Sequence, residues 1–399
     1  MQIVRFAAFH VRIPLKRTVK HASHTRDSND TLLVRCELDD GTAGWGEGLP
    51  RPYVTGETID TAWAQLQATD FAAQLSARLT SLSSTLENLD AFKLAGLSSL
   101  NPQPSTARDC FGNAVRCAYE ISILDAACRR ETVPLSHVTA LVSETAPIRR
   151  SAASVRYSGV LTAMTPREQL RSALKQRLYG FRQCKVKVGA DGSEDAATLR
   201  RVRRVLGPRV DLRIDANEAW SCAELAAKLD SLSPFGIAAV EQPVPHAEVG
   251  GLVDVRKQTD VPIMLDESLC SLSDGRRAID GGWCDLFNIR LSKCGGFIPS
   301  LRLAALAKRA GLGYQLGCQV GETGILSAAG RHFATSVGSI RYLEGSYDRH
   351  LVAERLTVED VTFGYGGRAP ALTAPGLGVT VDRQAVARCT VRQQVLWER

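Results

Sequence analysis

The sequence predicts an α/β fold, a closed parallel barrel of the (β/α)8 type with a second domain attached. Three observations predict it. From about Ser151 onward, short apolar strand-like segments alternate with amphipathic helical ones: VRYSGVL, CKVKVG, DLRIDAN, AAVEQP, PIMLDES, LFNIRLSKCGG, YQLGCQV and IRYLEG. Polar residues at the ends of successive segments, Lys187, Asp215, Glu241, Asp266 and Lys293, recur every 25 to 28 residues, the length of one strand–helix unit. The chain has 399 residues, long for one simple domain and comfortable for a barrel with an addition.

The elements follow in order. Val4 to Ile13, Thr31 to Leu38 and Thr42 to Glu47 alternate like strands, and Asp39-Asp40-Gly41 forms the hairpin turn between the last two. Asn113 to Arg130 reads as a helix, since Ala114, Cys117, Ala118, Ile121, Leu124 and Ala127 recur at helical spacing. The barrel units come next. In the basic run Leu199 to Leu206 the apolar residues fall on one helical face and the arginines form a solvated one. Leu356 to Arg399 shows strand and turn patterns (FGYGG, APGLGVTV) and no further strand–helix unit, so it is expected to return to the N-terminal domain. The division is residues 1–145, 146–355 and 356–399.

Composition excludes several classes. A hydrophobic share of 44% and a charged share of 23% fit an ordinary globular chain, and no apolar run is long enough for a bilayer. The opening MQIVRFAAFHVRIPLKR lacks a signal-peptide core, and eleven scattered cysteines without a CxxC pair point to free thiols in a reducing cytoplasm. The net charge of +7 comes with no nucleic-acid motif, so it favours small anionic substrates over nucleic acid.

The chemistry sits at the strand ends. Lys185 and Lys187 share one face of their strand, an arrangement that costs energy unless anions meet them. Asp215, Glu241 and Asp266 would repel one another at a barrel mouth without a cation. Three rigidly held oxygen ligands suit Mg²⁺, with Mn²⁺ as the alternative, better than a soft metal. A metal-bound substrate carboxylate permits removal of the α-proton. The base must then be a neutral lysine, with its ordinary pKa of about 10.4 lowered by burial, the dication and a second ammonium. Lys187 is assigned as the base on one face of the substrate and Lys293 as its partner on the other. Lys185 tunes Lys187 and helps hold the substrate carboxylate.

These residues resemble the enolase superfamily, specifically its muconate-lactonizing-enzyme subgroup (the mandelate racemase/muconate lactonizing enzyme family). The matching motifs are K-x-K at Lys185 and Lys187, D-x-N at Asp215 and Asn217, Glu241 in EQP, Asp266-Glu267 in LDES and Lys293 in NIRLSKCGG. GWGEG (Gly44 to Gly48) and AYEISILDAACRR (Ala118 to Arg130) look like the capping domain of that family. The resemblance implies a modified TIM (β/α)7β barrel with an α+β N-terminal capping domain completed by the C-terminal segment. It also implies Mg²⁺ on the three carboxylates, proton transfer by the two lysines, supporting roles for Asn217 and Glu267, and a homo-oligomer. Two lid loops are expected at residues 16–30 and 49–57, with Lys20, His21, His24, Arg26 and Tyr53 as candidates for the distal part of the substrate. His332 and His350 are read as structural.

Departures from the pattern bear on substrate. Dipeptide epimerases of the subgroup carry a D-x-D in the eighth-strand segment, where this chain has Leu343, Glu344 and Gly345 in RYLEGSYD. Glu322 in GCQVGET resembles a glutamate of cycloisomerase-like members, or caps the helix that begins near Ile325. Glu344 and Glu322 are therefore candidate substrate contacts, and a dicarboxylate or an N-acylated or hydroxylated carboxylate is favoured over a simple dipeptide. The reaction expected is a racemisation, epimerisation or cycloisomerisation, with syn-elimination as the alternative. A lysine Schiff-base aldolase leaves the three carboxylates without a role, and a catalytically silent binding protein leaves all five principal positions without one.

Overall fold

The computed structural model describes residues 1–20, 25–75, 78–96, 109–162, 165–190 and 194–399, leaving His21 and His24 outside, together with the side chain of Lys20. Eight parallel strands form the barrel in sequence order: Gly159–Leu161, Gln183–Lys187, Asp211–Asp215, Ile237–Glu241, Ile263–Leu265, Leu286–Ile289, Gly313–Leu316 and Ile340–Leu343, here barrel strands 1 to 8. The amide of Ser158, just before strand 1, donates to Leu343 O of strand 8 at 2.8 Å and closes the curl. Full helices follow six of the first seven strands, a short 3-10 and α turn (His246–Gly251, Leu252–Val255) follows strand 4, and strand 8 leads only to the four-residue helix Asp348–Leu351. This is the (β/α)7β order.

Local chemistry sets the helix starts. Pro166 opens Pro166–Leu178 behind a Thr165/Glu168 capping box, and a Ser221/Glu224 box opens Cys222–Leu232. In Asp195–Leu206 the residues Leu199, Val202 and Leu206 are buried as the periodicity predicts. The arginine face is less solvated than expected: Arg203 donates to Val210 O at 2.7 Å and Phe235 O at 2.8 Å, and Arg201 to Gln169 Oε1 at 2.8 Å.

Ala239, Met264, Leu286 and Tyr342 pack together as an apolar plug in the barrel. Ala239, Met264 and Leu286 each lie two residues before a polar residue of the same strand face, Glu241, Asp266 and Asn288. The plug therefore forms the floor on which a charged layer rests.

Four antiparallel strands form the cap sheet, in the order Thr390–Glu398, Ile3–Lys20, Thr25–Leu38 and Ala43–Gly48, so the C-terminal segment does return. Helix Asn113–Arg130 lies across it. The GWGEG motif explains the contact: a Cβ at Gly44, Gly46 or Gly48 would overlap backbone atoms of Ala126, Ala118 or Ala114. Alternate glycines let strand and helix touch backbone to backbone.

The expected loop over residues 16–30 needs correction. Pairing continues past the predicted strand ends, with Pro14 opposite Ser28 and Val19 opposite Arg26, so the described residues 16–20 and 25–30 form a two-stranded ribbon. Residues 49–57 are more buried than expected, with Leu49, Val54 and Glu57 inside and a one-turn helix at Pro52–Thr55. His332 is buried between Leu377 O (3.0 Å) and the Ser136 amide (3.3 Å), and burial lowers it to about 4, which keeps it neutral and structural.

Candidate active site

Strand geometry assembles the carboxylates. Asp215 and Glu241 are Cα partners on strands 3 and 4, and Glu241 is the partner of Met264 on strand 5. Asp266, two residues beyond Met264, therefore faces the same way. All three are at most 1% exposed. Lys293 belongs to the turn after strand 6 rather than to the strand.

The lysines bracket this row. Lys187 Nζ stands 3.9 Å from Asp215 Oδ2 and donates to Asn217 Oδ1 at 2.6 Å. At the other end Lys293 Nζ lies 2.7 Å from Asp266 Oδ1 and also donates to the Asp266 carbonyl. Asn217 Nδ2 in turn donates to Glu267 Oε1 at 3.3 Å. Lys185 is sunk among the acids, 3.1 Å from Glu241 Oε1, 3.3 Å from Asp215 Oδ2 and 2.9 Å from Glu344 Oε1. The anions that its charge required are these three carboxylates.

Five participants escaped the sequence reading. Arg290 donates to both Asp266 Oδ2 and Glu241 Oε1. Asn288 Nδ2 reaches Glu241 Oε1 at 2.9 Å and Gln315 Nε2 reaches Glu241 Oε2 at 3.4 Å. Arg213, fully buried, pairs with Glu344 and lies 4.5 Å over the Tyr342 ring. Gln242 ties two strand ends together, its Oε1 accepting from the Asp266 amide at 2.8 Å and its Nε2 donating to Ser268 Oγ at 2.8 Å. The signal was the two-residue period: Leu286, Asn288 and Arg290 share one face, as do Asp211, Arg213 and Asp215.

Charge is unevenly relieved along the row. Burial pushes Glu241 up to about 7 against the pull of Lys185, and the Asp215, Glu344 and Asp266 carboxylates add to the push. Burial also works on Asp266, but Arg290 and Lys293 hold it near 2. Burial and the adjacent Asp266 raise Glu267 far above the carboxylate range. Lys293 is shifted upward, because the pull of Asp266 outweighs the opposing effect of burial. Lys185 moves the same way, since Glu241, Glu344 and Asp215 together outweigh its burial.

The donor set suits a hard divalent cation. Among the described residues no three His, Cys, Asp or Glu side chains form a ready cage, because Arg290 and Lys185 lie between the acids. A fully buried carboxyl pushed up to about 7 nevertheless marks a place where more positive charge is favoured. The backbone beside the row is held in the left-handed region at Asn217 (φ 45°), Glu218 (φ 67°) and Gln242 (φ 35°), strain that accompanies functional sites.

The remaining candidates are placed as follows. Glu344 is inside the barrel, where burial opposes its charge but Lys185 and Arg213 hold it near 2. Glu322 is not the helix cap: Thr323 caps Gly324–Ser336, while Glu322 Oε1 accepts from the Gln319 amide at 2.6 Å. Burial raises Glu322 to about 8. Glu322 and Glu344 line one small cavity with Tyr157, Leu291 and Leu326. On the cap, Arg26 Nη2 lies 3.4 Å from Tyr53 Oη, while Lys20 and His21 fall outside the described side chains.

Comparison with known proteins places this geometry. The family described as "Enolase C-terminal domain-like" matches residues 167–385. A hydrophobic dipeptide epimerase of Enterococcus faecalis is 29% identical over 346 residues, covering 83% of this chain and 87% of its own. An N-succinyl-L-Arg/Lys racemase of Bacillus cereus is 25% identical over 407 residues, covering 99% and 100%. The crystal structure of that racemase superposes with a TM-score of 0.86 at 25% identity over 99% of this chain and 100% of the other. A dipeptide epimerase of Enterococcus faecalis solved with Mg and the dipeptide L-Leu-L-Tyr superposes with a TM-score of 0.82 at 25% identity, over 95% and 100%.

Proposed function

The chain belongs to the enolase superfamily, in its mandelate racemase/muconate-lactonizing-enzyme branch, and from that premise we propose that it racemises or epimerises a carboxylate substrate by Mg²⁺-assisted exchange of its α-proton. One observation carries the proposal: Lys187 and Lys293 stand at opposite ends of the Asp215–Glu241–Asp266 row, each bonded to a fixed partner. Residues 146–355 supply the chemistry in this reading, and 1–145 with 356–399 cover it.

Asp215, Glu241 and Asp266 would hold the cation. A cation held there would supply Lewis-acid stabilisation of the charge that builds up on the substrate carboxylate when the α-proton leaves. Lys187 Nζ, aligned by Asn217, takes the α-proton from one face. Lys293 Nζ, held on Asp266, delivers a proton to the other, and the roles exchange for the opposite enantiomer. Arg290, now on Glu241 and Asp266, would have to release them for a cation to be held by both acids. Asn288 holds Glu241 Oε1, and Gln242 holds the backbone amide of Asp266.

Substrate class follows from the strand-8 acid. The charge of Glu344 is already met by Arg213 and Lys185, which suits a substrate whose amine is acylated. Arg26 and Tyr53 on the cap, 3.4 Å apart, are read as the contacts for the distal end. N-acylated amino acids are therefore favoured over simple dipeptides such as L-Ala-L-Glu.

The test is α-proton exchange in D₂O with Mg²⁺, followed by NMR on N-succinyl-arginine, N-succinyl-lysine and L-Ala-L-Glu. Exchange on the N-succinyl compounds, abolished by a chelator, is the expected result. Absence of exchange across N-acyl amino acids and dipeptides alike would refute the proposed activity. Exchange confined to the dipeptides would reverse the substrate preference.

A further inference from the structure

The turn that carries Lys293 is gripped from outside the barrel. Residues 290–296 close on themselves through Cys294 N to Arg290 O (3.0 Å) and Gly296 N to Leu291 O (2.8 Å). Three cap residues then hold that turn. Leu49 N donates to Ser292 Oγ at 2.8 Å. Asn113, the first residue of helix Asn113–Arg130, donates from one Nδ2 to Lys293 O and to Cys270 O, both at 2.7 Å. Two turns along the same helix, Glu120 Oε1 accepts from the Ile298 amide at 2.9 Å.

The glycines of KCGG belong to this grip. Gly295 and Gly296 have φ of 86° and 121°, and a Cβ on them would crowd the side chains of Asn113 and Glu120 respectively. Cys270 lies four residues after Asp266, on the loop that follows strand 5. The two carbonyls that Asn113 joins therefore belong to the two loops whose side chains meet in the Lys293–Asp266 pair. A single amide nitrogen bridges the two loops.

We propose that Asn113 is a positioning residue, fixing from the cap the reach of the Lys293 ammonium over the Asp266 loop. It rests on the assignment of Lys293 to proton transfer. Among the described residues Lys187 has no such tether: its strand pairs with its neighbours and its partner Asn217 is in the barrel. Loss of Asn113 should therefore disable one face of the site and spare the other.

Asn113→Asp tests this with almost no change of shape, replacing a donor by an acceptor opposite two carbonyls; Asn113→Ser keeps a single donor. The first measurement is amine labelling of the native, substrate-free protein with acetic anhydride, read by peptide mass spectrometry. Lys293 should label about five- to tenfold faster in Asn113→Asp, the effect of a lost hydrogen bond on local opening. Lys187 serves as the internal control and should stay within about twofold of wild type, with Asn113→Ser intermediate at Lys293.

The second measurement is α-exchange from N-succinyl-L-arginine and N-succinyl-D-arginine separately. Exchange from the enantiomer served by Lys293 should fall about 10- to 100-fold, the scale of a misplaced catalytic group, while the other changes little. Unchanged labelling of Lys293, or equal loss of exchange from both enantiomers, overturns the assignment. A wild type that exchanges neither enantiomer would exclude N-succinyl-arginine as the substrate, and the labelling result would still decide the positioning role.

Discussion

Lys293 is fully buried with its ammonium on Asp266, whereas a quarter of the Lys187 side chain is exposed. Lys293→Ala should therefore destabilise the protein by on the order of 3 kcal/mol, the cost of breaking a buried ion pair. Lys187→Ala should leave the melting temperature nearly unchanged, and thermal denaturation of both variants checks the contrast. Arg290 gives a second test, because it contacts both Asp266, held near 2, and Glu241, pushed up to about 7. Arg290→Met should melt lower than wild type without metal and gain more from added Mg²⁺, since the cation no longer competes with the guanidinium. An equal or smaller Mg²⁺ shift would show that Arg290 does not compete for the acids. The five residues at the heart of the site were legible because each ends a strand–helix unit at a regular interval. Arg290 and Arg213 were passed over because arginine in a strand reads as solvent-facing until its register is known. The pull on Lys293 was likewise hidden: whether a buried lysine moves up or down depends on how close the acid stands.

Glu47 couples two elements that no local pattern connects. From the strand Ala43–Gly48 it accepts from Thr323 N at 3.0 Å, Thr323 Oγ1 at 2.7 Å and Leu326 N at 3.0 Å, joining the cap sheet to the start of helix Gly324–Ser336. Burial raises it to about 7 in spite of these donors. The folded protein thus binds more protons than the unfolded chain between about pH 4.5 and 7. That contribution to stability is present below this window and is lost as the pH rises through it. Glu47→Gln cannot titrate, so its stability relative to wild type should rise by on the order of 1 to 3 kcal/mol between pH 5 and pH 8. Urea denaturation at the two pH values measures it; a constant difference would show that Glu47 stays ionised throughout. At this scale the helix over residues 113–130 and the hairpin at residues 39–41 were readable, since both are set by local periodicity and turn chemistry. The ribbon over residues 16–20 and 25–30 was not, because its strands carry no alternating apolar face and are held by pairing and by long-range contacts such as Asn29 Nδ2 to Gly321 O at 2.9 Å.

The whole molecule is a barrel whose mouth is spanned by one row of acids, with a lysine at either end and a cap that grips the turn at one of those ends. The barrel order could be read from the sequence, because each unit repeats the same strand–helix grammar. The cap's hold on the barrel could not, because Glu47, Asn113 and Glu120 meet their partners across separations of 157 to 279 residues. This asymmetry also sets the central test. Wild type, Lys187→Ala and Lys293→Met, the last chosen to fill the buried space, are each incubated with Mg²⁺ in D₂O with N-succinyl-L-arginine and, separately, N-succinyl-D-arginine. Deuterium at the α-carbon is followed by NMR. If the two lysines serve opposite faces, each variant loses exchange from one enantiomer by about 10²- to 10⁴-fold, the scale of a general base, and the two variants lose opposite enantiomers. Full exchange from both enantiomers in either variant, or loss of the same enantiomer in both, would contradict a site in which two lysines work from the two sides of one metal-binding row.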